Sequence, residues 1–172
     1  VLMMIIFMTL CAYAGDLEPP AGSPGSTMKT LDEIPPSWHQ ILSSSGRFKD
    51  VMNGEAVLDK ETGLVWAKNA NLAADEKDWD SANMYCYNVT IGNRKGWRLP
   101  TIDELASLLD MSISGNPKIP SGVFTNVQSD YYWSGTTYAR STDFAWSASM
   151  ENCNVIWNNK PNTFYVWPVR GR

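Results

Sequence analysis

Trp97-Arg98-Leu99-Pro100-Thr101-Ile102-Asp103-Glu104-Leu105-Ala106-Ser107-Leu108-Leu109-Asp110 is the stretch on which the fold turns. It spells a helix with a written start. Pro100 precedes it, the Thr101 hydroxyl is placed to cap the free amides of the first turn, and Glu104, three residues on, can reach back to the Thr101 amide, completing a capping box. Ile102, Leu105, Leu108 and Leu109 then share one face, which must turn toward a core. Arg98 lies between apolar Trp97 and Leu99, so its stem is expected to be buried and its guanidinium to need a carboxylate or carbonyl partner. Glu104 and Asp103 are the nearest carboxylates. Arg98, Thr101 and Glu104 are therefore read as residues that hold the fold rather than a ligand.

Around this anchor are 172 residues, 44% hydrophobic and 19% charged, which suits one globular domain with a sizeable core. A formal charge of -4 supplies no basic stripe, so nucleic-acid binding is set aside. Residues 1–14 carry no charge, and their apolar run Val1 to Met8 is shorter than the roughly 20 residues a membrane span needs. It fits the apolar region of a secretory signal peptide, with Ala12-Tyr13-Ala14 as the small-x-small cleavage pattern. No transmembrane span is then expected in the mature chain. The basic segment that usually opens a signal peptide is missing here. Cys11 could instead carry a lipid, although Leu10 stands where a small residue is expected. If cleavage removes Cys11, Cys86 and Cys153 remain, and such a pair in an oxidising compartment reads either as one disulfide or as two unrelated thiols.

Residues 15–27, rich in Pro, Gly and Ser, read as a flexible linker, which leaves 28–172 as a single domain. A short helix after Pro35-Pro36 would carry His39, the one histidine of the chain. Ala56-Val57-Leu58 and Leu64-Val65-Trp66 flank a turn in which Gly63 occupies the left-handed position, so they predict a hairpin with Trp66 pointing inward. Asp78 caps a second helix running to about Val89, with Trp79, Ala82, Cys86 and Val89 on one face. After the anchor helix, 112–129 is a long loop of Gly, Pro, Ser and Asn, the kind of segment where binding tends to occur. Strand-like aromatic runs follow at Tyr131 to Tyr138, Phe144 to Met150, Cys153 to Trp157 and Phe164 to Arg170. Together these elements predict an α+β domain, two helices packed on one twisted antiparallel sheet.

Catalytic patterns are thin. One peripheral histidine does not support a Ser/His/Asp or Cys/His site, and no His or Cys cluster has zinc spacing. Asp75-Glu76 and Asp78-Asp80 sit at loop and helix-start signals, where capping and solvation explain them. What remains is a binding surface, because aromatic rings stack on flat ligands while Asn, Gln and Asp make adaptable hydrogen bonds. The candidates are Asn126, Gln128 and Asp130 on the loop, with Trp157, Asn158, Asn159 and Lys160 at a hairpin end. Trp66, Trp133 and Trp146 are assigned to structure.

Gly63-Leu64-Val65-Trp66, Tyr85-Cys86, Trp97-Arg98-Leu99-Pro100-Thr101 with Glu104-Leu105 and Leu108, Tyr132-Trp133-Ser134 with Thr136-Thr137, Ala145-Trp146 and Val169-Arg170-Gly171 occur in this order. The set resembles a bacterial family named after the C-terminal domain of the Legionella collagen-like adhesin, across residues 47–172. That resemblance implies a C-type-lectin-like fold in exported proteins, related in shape to sulfatase-modifying enzymes. It implies adhesive modules, some binding sulfated polysaccharide, so the expected partners are a polysaccharide or an envelope protein and the alternative is an oxidase or a purely structural domain. Relatives ending in Val-Trp-Cys-Val-Arg-Gly have a cysteine where Pro168 stands here. If 159–162 were a four-residue loop joining two paired strands, Cys153 would face position 168, and a Cys86–Cys153 bridge would replace the family's one. The lectin fold also raises calcium as a cofactor. Trp157-Asn158-Asn159 matches its Trp-Asn-Asp triplet only in part and lacks the negative charge calcium favours, so no cofactor is assigned.

Overall fold

The computed structural model describes residues 43–171, within a compact unit spanning Leu42–Arg172. The expected signal peptide, the linker, Cys11 and the His39 helix lie outside the described residues. Three short helices and two antiparallel sheets make up a mixed α+β unit. In chain order the elements are α1 (Ser44–Arg47), β1 (Phe48–Val51), β2 (Ala56–Asp59), β3 (Val65–Ala67), α2 (Trp79–Asn88), α3 (Ile102–Ala106), β4 (Tyr131–Thr137), β5 (Phe144–Ser149), β6 (Val155–Asn159) and β7 (Val169–Arg170). Strands are ordered β1-β2-β3-β7 in one sheet and β4-β5-β6 in the other. Among the described residues, no helix is long and apolar enough to cross a membrane.

The β2–β3 hairpin forms as its alternation requires, with Val57 opposite Trp66 and Gly63 at φ 74°. Trp66 is fully buried. One core gathers Val57 and Trp66 from the first sheet, Leu105 and Leu108 from the anchor stretch, Tyr132 and Ala148 from the second sheet, and Trp167. A second core forms where Ala82 and Cys86 of α2 pack against Leu99, Trp133, Ala145 and Val166. Tyr132 and Trp133 are neighbours on β4 and point to opposite faces, so that strand is covered on both sides.

The capping box at Thr101 is present, with the Thr101 hydroxyl accepting from the Glu104 amide and the Glu104 carboxylate accepting from the Thr101 amide at 2.8 Å. A third free amide, Ile102, donates to the Thr136 hydroxyl at 3.0 Å. The helix is shorter than its apolar spacing suggests: it stops at Ala106, where the Ser107 hydroxyl donates to the Glu104 carbonyl at 2.7 Å. Leu108 still reaches the core through a tighter turn to Leu105.

Three expectations are corrected here. The aromatic strands do not form one sheet with α2 and α3 on it. Residues 153–157 and 164–170 are not partners either: β6 pairs with β5, Trp157 opposite Trp146, while Val169 pairs with Trp66 and with Arg98. Between them the chain threads from one sheet to the other. Tyr165 exchanges backbone bonds with β4, and Pro168, which has no N–H to give a ladder, offers its carbonyl to the Ala67 amide at 3.0 Å. The disulfide expectation falls with this register. Cys86 and Cys153 are both free thiols: Cys86 sits in the α2 core, and Cys153 in the tight turn between β5 and β6 at φ 60°.

Candidate functional site

Alternation along β5 sends Phe144 and Trp146 to one face and Ala145 and Ser147 to the other. The register places Trp157 directly beside Trp146, and the turn after β4 folds Tyr138 back so that its amide meets the Phe144 carbonyl at 2.9 Å. Four aromatic rings result on one open surface. Tyr138 lies nearly parallel to Trp157 with centroids 5.3 Å apart, Phe144 meets Trp157 edge-on at 5.1 Å, and Tyr138 meets Trp146 edge-on at 5.7 Å. Trp157 is 47% exposed, and Tyr138, Phe144 and Trp146 are half-buried. Neither the Trp146 nor the Trp157 indole N–H donates to another described residue. The surface thus offers flat apolar faces with polar handles at their rim.

The bend that shapes this region is the irregularity in β4 between Trp133 and Thr137. Its Ser134 hydroxyl donates to the Trp146 carbonyl at 2.7 Å, and its Gly135 amide donates to the Pro100 carbonyl at 2.7 Å. Trp79 on α2 adds an indole bond to the Ser134 carbonyl at 2.8 Å, and the Trp133 indole donates to the Lys77 carbonyl at 2.8 Å. The Trp-Ser and Thr-Thr motifs are therefore explained by holding a bulge against the anchor helix.

The candidate residues are spread over separate places. Asn126 donates to the Asn69 side chain at 3.2 Å, the Gln128 side chain donates to the Asn126 carbonyl at 3.0 Å and its backbone N–H to the Tyr132 hydroxyl at 2.8 Å, and Asp130 accepts from the Tyr131 backbone amide at 2.7 Å. All three are engaged in fixing the loop. Asn126 and Val127 also border a concavity of about 380 Å³ with Ile113, Pro117, Ile119 and Phe124. Neither Trp157 nor Lys160 lines it; Lys160 borders a different hollow with Asp78, Asp80 and Pro161. The Lys160 ammonium stands over the Trp79 ring, 3.8 Å from its centroid. Asn158 donates to the Ser147 hydroxyl at 2.8 Å. Asn159 follows it on the same strand and so points to the opposite face, which keeps the two amides from converging on one calcium ion. Among the described residues, no group of three His, Cys, Asp or Glu side chains is placed to hold a metal.

Arg98 is occupied by structure. It makes a two-pronged pair with Glu104 at 2.7 and 2.8 Å and donates to the carbonyls of Leu99 and Gly171 at 3.1 and 3.0 Å. The hydrogen bond from Arg98, outweighing partial burial, holds the Glu104 carboxyl below the usual range. Sequence reasoning missed a second pair, Arg47 with Asp59, which is buried almost completely. Nothing local announces it, since the partners come together only when β1 and β2 pair. Burial pushes the Cys86 thiol up to about 12. Cys153 is half-buried, and burial also raises its thiol. Sequence reasoning also missed Tyr138 and Phe144 as surface aromatics and assigned Trp146 to structure, whereas it lies half-buried on the same face; the alternation of Phe144-Ala145-Trp146-Ser147 carried that signal for Phe144 and Trp146.

Two antiparallel sheets and a capped anchor helix define a mixed α+β domain with an open aromatic surface. The chain belongs to the Lcl C-terminal domain family, a family from an adhesin, whose model matches residues 55–170. No curated protein matches it.

Proposed function

We propose that this chain is an exported, lectin-like, non-catalytic adhesion module that binds polysaccharide through the Tyr138, Phe144, Trp146 and Trp157 surface. The observation that carries this reading is Trp157, half exposed and stacked on Tyr138, with an indole N–H that donates to no other described residue. Pyranose rings present flat C–H faces that pack on aromatic rings, and a rim of indole N–H groups and the exposed Asn159 suits their hydroxyls. Descent from an adhesin family agrees with that chemistry. An oxidase reading is disfavoured because burial keeps Cys86 protonated, which removes the thiolate such chemistry starts from.

A glycan array probed with the full chain, with neutral and sulfated polysaccharides and with calcium added or chelated, tests the reading. Binding is expected to survive chelation and to drop about tenfold or more in Trp157→Ala, with an unchanged melting temperature. Absence of binding under every condition, or binding indifferent to Trp157→Ala, refutes it.

A further inference from the structure

Residues opposite each other on paired strands share a face, so the β5–β6 register sorts the side chains at the open end of this sheet. Phe144 stands with Asn159, and Trp146 with Trp157. Tyr138 joins them through its ring contacts with Trp146 and Trp157. None of these five side chains carries a charge. Alternation turns Asn158 and Lys160 to the other face, where the Asn158 amide meets the Ser147 hydroxyl and the Lys160 ammonium stands over the Trp79 ring. Between Tyr131 and Asn159 the chain places charge only in the two turns, with Arg140 and Asp143 between β4 and β5 and Glu151 between β5 and β6. All three are exposed. One guanidinium is set against two carboxylates, so the borders of the face carry no positive excess.

We propose that the polysaccharide taken by this surface is uncharged, a polymer of neutral pyranoses without sulfate, phosphate or carboxylate groups. This rests on the reading that the aromatic surface binds polysaccharide, and it departs from the sulfated polysaccharide that the family resemblance implies. An anionic group set on these rings gives up water and meets no cation of the face in exchange, and a charge moved out of water without a partner costs far more than a hydroxyl. The faces of aromatic rings are themselves electron-rich, which repels anions and favours the polarised C–H bonds of a pyranose. A net charge of -4 adds to the barrier against a polyanion. A neutral pyranose meets none of these costs: its C–H face covers the exposed part of Trp157, while its hydroxyls reach the exposed Asn159 amide on the same face. With no ion pair in the contact, binding is insensitive to salt.

Dextran with dextran sulfate, and a soluble β-glucan with its sulfated form, are matched pairs for the full chain, and a glycan array adds neutral and anionic oligosaccharides of other sugars. Array binding that is lost in Trp157→Ala should fall on neutral members, and in any pair that binds, the neutral polymer should bind about tenfold more tightly or better. Raising salt from about 0.05 to 0.5 M should change that affinity by less than about twofold. Arg140→Ala should leave neutral binding unchanged, whereas Asn159→Lys, which adds a cation to the face, should narrow the gap to the sulfated polymer at low salt only. Anionic glycans bound through Trp157 as tightly as neutral ones, binding lost in Arg140→Ala, or a gap that Asn159→Lys leaves unmoved overturns the inference and leaves the polysaccharide reading standing. A chain that binds no glycan at all overturns both.

Discussion

Replacing Arg47 by Met probes the buried pair that no local sequence signal announced. The Arg47 and Asp59 side chains are 2% and 0% exposed, with Nε to Oδ1 at 2.9 Å and Nη2 to Oδ2 at 2.7 Å. Arg47 also donates to the Ser107 carbonyl at 3.1 Å and lies 4.7 Å from the centroid of the Phe48 ring. It thereby ties α1 and the β1–β2 pair to the end of α3. Methionine keeps the apolar stem and removes all of these bonds. Breaking a buried pair from one side costs about 3–5 kcal/mol. Asp59 retains the Thr62 hydroxyl at 2.9 Å and the Glu61 amide at 3.0 Å, which places the expected loss at the lower end of that range. A loss of about 3 kcal/mol lowers the melting temperature by about 10 °C in a unit of this size. Urea unfolding of wild type, Arg47→Met, Asp59→Leu and the double variant measures it. The double variant should be more stable than the sum of the single losses requires, by about 1.5 kcal/mol or more. A single-variant loss below about 1 kcal/mol, or strict additivity, refutes the reasoning.

The same pair sets an acid limit. Burial on its own would raise the Asp59 carboxyl, but hydrogen bonds from Arg47 and Thr62 and the Arg47 charge outweigh it and hold the group below the ordinary range. A depressed folded value means that its stabilisation is complete above the unfolded value of about 3.9 and is lost as pH falls through the folded one. Asp59→Asn should therefore flatten the acid limb of stability below about pH 4.

Two further outcomes are expected. Arg98→Met should destabilise by about 2 kcal/mol, less than Arg47→Met because its side chain is 36% exposed, while glycan binding by the folded fraction stays unchanged; lost binding at unchanged stability would make Arg98 a ligand residue. Thiol labelling of the native chain should modify Cys153 well before Cys86, whose reactivity appears only on unfolding, and non-reducing peptide mapping should find no Cys86–Cys153 bridge. Recovery of the linked peptide would overturn the register described for β6.

Features written within one turn or one hairpin were legible in the sequence. Thr101 and Glu104 satisfy each other over three residues, Asp78 caps α2, and Gly63 closes the β2–β3 turn, because each requirement is met by neighbours along the chain. The inward Trp66 and the Arg98–Glu104 pair followed from the same local logic. Pairing between distant segments was not legible. Whether 153–157 meets 144–149 or 164–170 depends on which partner buries more surface and keeps its backbone bonds, and Pro168 removes one of those bonds from the rejected strand. That choice broke the expected disulfide, divided one sheet into two and left β6 as an open edge. The sequence by itself thus determined the family, the anchor helix and the class of residue available for binding. Only the tertiary structure decided which of those residues share a surface, since Tyr138, Phe144, Trp146 and Trp157 meet through strand register, which no local spacing encodes.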